Sequence, residues 1–250
     1  MTAVSLVCCG LLGTTVDDQG ILERAFAEAC ATQGIVPGTA AYAHSMVTVH
    51  QSRGQPPVDV FRALFPGGEG RAEAAAMSFE RSLRAALDRT RLSPVPGAEE
   101  AIATLRDSGV RFGVITSVSR RLLEVVLDTV GWSRRVDVAL CPDDVPRGCP
   151  WPDLMLTAML RLGVEDVREA ALAGNSASGV RCGIRSGAGI VAGVLTGGHT
   201  GDRLRAAGAT HLINRIADLP ALLTAQAGQP PSQASPPAPR VPLERRRAGL

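Results

Sequence analysis

The sequence predicts an α/β fold: a three-layer parallel sheet covered by helices on both faces, with an α-helical cap inserted after the first strand. Three observations predict it. Short, nearly continuous apolar runs recur along the 250 residues, as strands buried on both faces require. Helical patterns of crossover length separate most of them, which implies right-handed connections and parallel strands. One long interval, 16–92, breaks the alternation and reads as helical, which marks an insertion.

The first run is Val4–Cys9, closed by Gly10. In the interval that follows, Ile21–Gln33, Val58–Leu64 and Ala72–Thr90 have helical character, with no good strand among them. The Pro-Val-Pro-Gly of Pro94–Gly97 marks the return to the sheet, and Gly97–Ser108 forms a helix leading into the run Phe112–Thr116. Helix Arg120–Val130, strand Val136–Leu140, helix Asp153–Leu162, strand Ala170–Ala173, helix Ser178–Ser186 and strand Ile190–Val194 continue the pattern, and Asp218–Ala225 is a last helix. Gln229–Pro239 is too low in complexity to pack a core, and Arg240–Arg247 is a basic end. The expected organisation is a core domain of 1–15 and 93–225, a helical cap of 16–92, and a disordered Pro-rich, Arg-rich tail of 226–250.

Composition narrows the function classes. Hydrophobic content of 45% and charged content of 20% are ordinary for a soluble globular protein. Aromatics reach only 3%, so small residues do much of the packing. No run approaches the roughly 20 apolar residues that span a membrane, and no basic flank precedes the N-terminal apolar run. A cytoplasmic location without membrane contact is expected. The six cysteines show no CxxC spacing and read as free thiols of a reducing compartment. All 26 basic residues are arginine, so no Schiff-base lysine exists. The tail holds four arginines and one glutamate, leaving 22 arginines against 23 acids in the body. A near-neutral body gives nucleic acid no electrostatic footprint, and none is expected as a partner.

In open parallel sheets ligands bind beyond the carboxyl ends of the strands, so the loops of interest begin at Gly10, Thr116, Cys141 and Gly174. Leu6–Asp18 (LVCCGLLGTTVDD), Phe112–Thr116 (FGVIT), Cys141–Asp153 (CPDDVPRGCPWPD) and Ala171–Gly187 (ALAGNSASGVRCGIRSG) occur in that order. Together they resemble the four motifs of the haloacid dehalogenase (HAD) superfamily, a Rossmann-like fold. The third and fourth look most like its phosphonatase-like branch, whose helical cap is inserted after the first motif. Gly13 and Thr14 match the glycine and threonine of the first motif, and the downstream Gly193–His199 is also similar.

The resemblance implies a hydrolase of phosphate or phosphonate compounds that uses magnesium, yet the positions that carry its chemistry are changed. The nucleophilic aspartate falls on Gly10 and the acid/base aspartate on Leu12. The basic residue of the third motif falls on Cys149, and the magnesium-holding aspartates of the fourth fall on Asn175 and Gly179. Thr116, the phosphate-contacting hydroxyl, is kept. Loss of a nucleophile alone costs on the order of 10⁴ to 10⁶ in rate, and magnesium wants carboxylate oxygens. The phosphonatase imine with a cap lysine is closed to a chain without lysine.

The expectation is therefore a HAD-like homologue that is non-catalytic or repurposed, with no cofactor because the magnesium ligands are absent. It binds a small phosphorylated or anionic ligand through Gly13, Thr14, Thr116, Ser117, Asn175 and Ser176, or serves as a partner or auxiliary subunit of another protein. The alternative is a divergent hydrolase using relocated acids or Cys149. Asp17, Asp18, Asp143 and Asp144 are the acids in reach of the loops; helix capping and solvent exposure are their plainer roles. A Cys149 nucleophile needs a positive neighbour, with Arg147 or Arg120 as candidates, while Cys8, Cys9 and Cys149 as packed thiols is the plainer reading. The four histidines show no metal spacing, and Trp151 is expected to pack on the cap.

Overall fold

The computed structural model describes residues 3–227. At its centre is a six-stranded sheet. The first strand, β1 (Leu6–Gly10), is followed by β2 (Val16–Asp17) and then by four helices, α1 (Ile21–Thr32), α2 (Ala40–Gln51), α3 (Pro57–Leu64) and α4 (Glu69–Leu87). β3 (Ser93–Pro94) pairs antiparallel with β2 and closes this insert at its base. The chain then alternates through α5 (Ala98–Asp107), β4 (Arg111–Ile115), α6 (Arg120–Thr129), β5 (Val138–Leu140), α7 (Asp153–Arg161), β6 (Ala170–Gly174), α8 (Ala177–Ser186), β7 (Ile190–Val194), α9 (Gly201–Ala206), β8 (His211–Ile213) and α10 (Leu219–Ala227). The main sheet has the order β5-β4-β1-β6-β7-β8, and its paired strands run parallel.

Strand alternation divides β1 between two cores. Val7 and Cys9 face Phe112, Leu122, Leu123 and Trp132 in one cluster. Leu6 and Cys8 face Leu140, Leu154, Met155 and Cys182 in the other. Burying each such aliphatic side chain stabilises the fold by about 1.5–3 kcal/mol. Ser119 caps α6 by accepting from Leu122 N, and Ser176 caps α8 by accepting from Gly179 N, each satisfying an otherwise orphaned amide. α8 then ends at Gly187, whose φ of 78° is a left-handed stop that a side chain would strain.

Four of the chain's five phenylalanines, Phe26, Phe61, Phe65 and Phe79, lie in the insert. The Phe26 ring sits 5.5 Å from that of Phe61 and 4.4 Å from that of Phe79. The insert thus packs phenylalanine rings against one another, whereas the sheet domain packs Phe112 and Trp132 among aliphatic side chains.

The structure departs from the expectations in several places. α2, α9 and β8 were not expected, and the insert contains the short strand β2. Trp151, expected to pack on the insert, is not buried. It is 45% exposed, held between the guanidinium of Arg147, 4.5 Å from its ring centroid, and that of Arg185 at 4.9 Å. Arginine stacking on the indole face satisfies the ring without burial. The predicted tail lies outside the described residues apart from its first two, which end α10. Among the described residues no helix is long and apolar enough to cross a membrane.

Candidate functional site

A cavity lies beyond the carboxyl ends of β1, β4 and β6, with the insert on its other side. The sheet contributes Gly10, Leu11, Leu12 and Thr14 after β1, Thr116, Ser117 and Val118 after β4, and Gly174, Asn175, Ser176 and Gly179 after β6. Cys149 comes from the loop before α7, and Leu22, Arg53 and Gly54 come from the insert. The five positions matched to the motifs, Gly10, Leu12, Cys149, Asn175 and Gly179, therefore border one space. So do Thr14, Thr116, Ser117 and Ser176. Gly13 is not in the lining but sits against Asn175 and Arg53, which are, and its φ of 76° favours glycine.

Polar groups around the cavity have defined partners. Asn175 Nδ2 donates to the Gly13 carbonyl at 2.7 Å, and Thr196 Oγ1 donates to the same oxygen at 3.2 Å. Thr116 Oγ1 accepts from Val118 N at 3.4 Å. Two hydroxyls stand apart: Thr14 Oγ1 and Ser178 Oγ are buried with no hydrogen-bond partner among the described residues. A buried polar atom left unpaired costs about 1–3 kcal/mol. Thr14 lines the cavity, and Ser178 lies in the first turn of α8, whose amide end favours negative charge.

Arg53 is the cation of the cavity wall. Its guanidinium donates to Asp18 Oδ2 at 3.3 Å, with both side chains largely buried. The adjoining Gly54 has φ of 86°, and a Cβ there would stand 2.3 Å from Ser176 Oγ. Only glycine lets this loop approach the start of α8 so closely. Sequence reasoning missed Arg53, because an arginine between two helices of an insert has the pattern of a solvated loop.

It also missed His199, which bridges core and insert. The Ala177 amide donates to its Nδ1 at 2.8 Å, and its Nε2 is 2.8 Å from the His50 carbonyl. Nδ1 is thus the acceptor and Nε2 carries the proton, a neutral imidazole. Burial pushes its pKa below the usual histidine value, and Arg203, His50 and Arg53 push the same way, against the opposing His50 carbonyl. Arg203 adds a second bridge, donating to the Gln51 carbonyl at 2.9 Å.

The thiols are packed in the cores, and only Cys149 borders the cavity. Cys149 is buried, and its hydrogen bond with Cys182, followed by burial, raises its pKa well above the ordinary thiol value. Burial pushes Cys8 up to about 12, and Cys9 lies on the opposite face of β1, in the other core. The two candidate activators are engaged elsewhere. Arg147 holds Asp153 at 2.8 Å and stacks on Trp151, and Arg120 pairs with Asp144. The relocated acids are also occupied. Asp17 accepts from Gln19 N at 3.0 Å, Asp143 accepts from Arg120 N at 2.7 Å at the start of α6, and Asp144 accepts from Cys141 N at 2.9 Å. Asp18, through Arg53, is the one of the four that reaches a residue of the cavity wall.

Comparison with known proteins gives a consistent relation. A family model described as haloacid dehalogenase-like hydrolase matches residues 6–187. A phosphonoacetaldehyde hydrolase of Parabacteroides distasonis is 27% identical over 190 residues, 65% of this chain and 71% of that protein. Another, of Hahella chejuensis, is 30% identical over 151 residues, so the match spans 51% of each chain. The chain thus spans about half the length of that second relative. Among solved structures, a phosphonoacetaldehyde hydrolase-like protein from Oleispira antarctica superposes with a TM-score of 0.77 at 20% identity, covering 92% of this chain and 96% of its own. A hydrolase from Pseudomonas syringae gives 0.76 at 22% identity, covering 89% and 98%. At these identities the superpositions speak for the fold.

Proposed function

The chain belongs to the haloacid dehalogenase-like hydrolases, and from that premise we propose that it keeps the family's cleft as a binding site for a small anion without the family's reaction. The observation that carries this reading is the chemistry of the cavity wall. Arg53, the Thr116 and Ser117 hydroxyls and the unpartnered Thr14 hydroxyl border it, while no carboxylate does among the described residues. The insert, with Arg53 and Gly54 facing the strand ends, acts as a cap on this site.

The donors do not fit magnesium. That ion takes hard oxygens and commonly one or two carboxylates. Here Asn175 offers a neutral amide already turned to Gly13, and Gly10 and Gly179 offer backbone only. Among the described residues no three His, Cys, Asp or Glu side chains converge as a metal site. The chain's own residues bind and orient: the guanidinium supplies charge, the hydroxyls and the first turn of α8 supply donors, and the surrounding leucines exclude water.

The test is direct. Inorganic phosphate raises the melting temperature, because a ligand of the folded state stabilises it. Arg53→Met weakens that binding by about tenfold or more, the size of one charge-assisted hydrogen bond. Magnesium with a panel of phosphate esters gives no phosphate release above background. A second reading, a divergent hydrolase, draws on Asp18 beside Arg53 and on Cys149 in the wall. Turnover that Asp18→Asn or Cys149→Ala abolishes would establish it in place of the first.

A further inference from the structure

A second cavity adjoins the first. The two share Leu22, Arg53, Gly54 and Ser117, so these residues form the boundary between them. Beyond that boundary the wall is largely apolar: Phe26, Val49, Pro57 and Phe79, with Leu22 at the junction. Its other members are Glu23 and His50, both exposed, and Ser52 and Gln55. Arg53 is thus the only cation of either lining and stands where the two meet.

The first chamber is also lined in part by apolar side chains. Leu12 occupies an inner position, and Leu11, Ile115, Val118 and Leu172 complete a greasy wall around one charge and a few hydroxyls. Arg53, with one edge already on Asp18, has donors left for one anionic group and no more. A polyanion or a polyhydroxylated sugar would leave charges or hydroxyls facing leucine and phenylalanine, at a cost of about 1–3 kcal/mol for each unpaired group.

Resting on the anion-binding reading above, we infer that the ligand is an amphiphile: a single anionic group beside Arg53, Thr116 and Ser117, joined to a short alkyl or aryl group. The apolar group lies in the second chamber against Phe26, Val49 and Phe79. The anionic group is a phosphate monoester or a carboxylate. Both accept two parallel hydrogen bonds from a guanidinium, and the experiment separates them.

Calorimetric titration of the full chain uses inorganic phosphate, methyl, propyl, butyl and phenyl phosphate, the matching carboxylates, and butanol. In the series that fits, each added methylene tightens binding by about fourfold until the chamber is full, the value of burying one CH₂. Val49→Thr, of nearly the same shape, lowers the ratio of butyl phosphate to inorganic phosphate affinity severalfold. If the carboxylates show the gain and the phosphates do not, the head group is a carboxylate. Esters that bind no tighter than inorganic phosphate overturn the amphiphile and leave the anion site standing. No binding of phosphate, carboxylate or ester overturns the anion site itself.

Discussion

A Cβ added to Gly10 would stand 2.8 Å from Thr14 Oγ1 and 3.3 Å from Thr14 Cβ. Thr14 is itself buried, so its hydroxyl has little room to swing away. Packing this close means that the position matching the family's nucleophile does not accept an aspartate by simple replacement. Gly10→Asp is expected to destabilise the protein by about 1–3 kcal/mol through overpacking, with a further cost for a carboxylate among leucines. On the proposed reading it gains no phosphatase turnover, because the positions that match the family's acid/base and metal residues remain Leu12, Asn175 and Gly179. Gly10→Asp with Thr14→Ala recovers part of the lost stability by vacating the space. Urea unfolding measures both effects. A Gly10→Asp protein as stable as the parent would show that Thr14 yields freely and that the packing argument is wrong. Asn175 is hemmed in likewise, since a Cβ on Gly197 would lie 2.2 Å from its Nδ2.

α8 and α2 are joined through one imidazole, and this coupling has a pH signature. His199 must keep Nδ1 unprotonated to accept from Ala177 at the start of α8 while Nε2 meets the last turn of α2 at His50. Its folded pKa lies below the ordinary value because of burial first and of Arg203, His50 and Arg53 after it. As pH falls past about 6.5 the unfolded chain takes up a proton that the folded chain refuses. The unfolded state then binds more protons, so this contribution to stability is complete above that pH and is lost as pH falls through the folded pKa. His199→Asn should flatten the decline in stability between about pH 7.5 and about pH 5.5, read from urea midpoints at each pH; an unchanged slope would assign the decline to other groups. None of this was legible in the sequence, where His199 shows no spacing to a partner. The five longer apolar runs were legible because buried parallel strands are continuous, and the helices around them because their apolar faces are regular. α2 was not: of its twelve residues only Ser45 and Val49 are buried, so it has little apolar stripe to read. β8 is three residues at the sheet edge, and unlike β5, which ends the apolar run Val136–Leu140, it starts at His211 with no apolar run before it. The motif loops carried the cavity's sheet side, while Arg53 and Gly54 reached it through the tertiary placement of the insert.

At the scale of the molecule, the insert and the sheet domain are tied at two places. The chain crosses between them at the β2–β3 pairing, Val16 opposite Pro94 and Asp17 opposite Ser93. Away from that base they meet through directed contacts, His199 to His50, Arg203 to Gln51 and Ser119 to Glu80, and through an apolar core that runs from α1 and α4 into α6. Local opening at the α2 side of this seam breaks the directed contacts while the α4–α6 packing holds, at a free energy below that of global unfolding. Arg53 lies in this seam with its side chain 22% exposed, whereas Arg89 and Arg91 are exposed near the base. Trypsin therefore cuts after Arg89 and Arg91 without opening the seam, and after Arg53 only in the opened form. In a chain without lysine, every tryptic cut reports on an arginine, so the three products are readily told apart by mass. Arg203→Ala removes one tie and should raise the rate of cleavage after Arg53 severalfold while leaving cleavage after Arg89 and Arg91 as it was. A ligand held between Arg53 and the strand ends should do the reverse, slowing the Arg53 cut selectively. Equal acceleration at all three sites would mean that Arg203 supports the fold as a whole, and the closure would then belong to the packing of α4 on α6 instead.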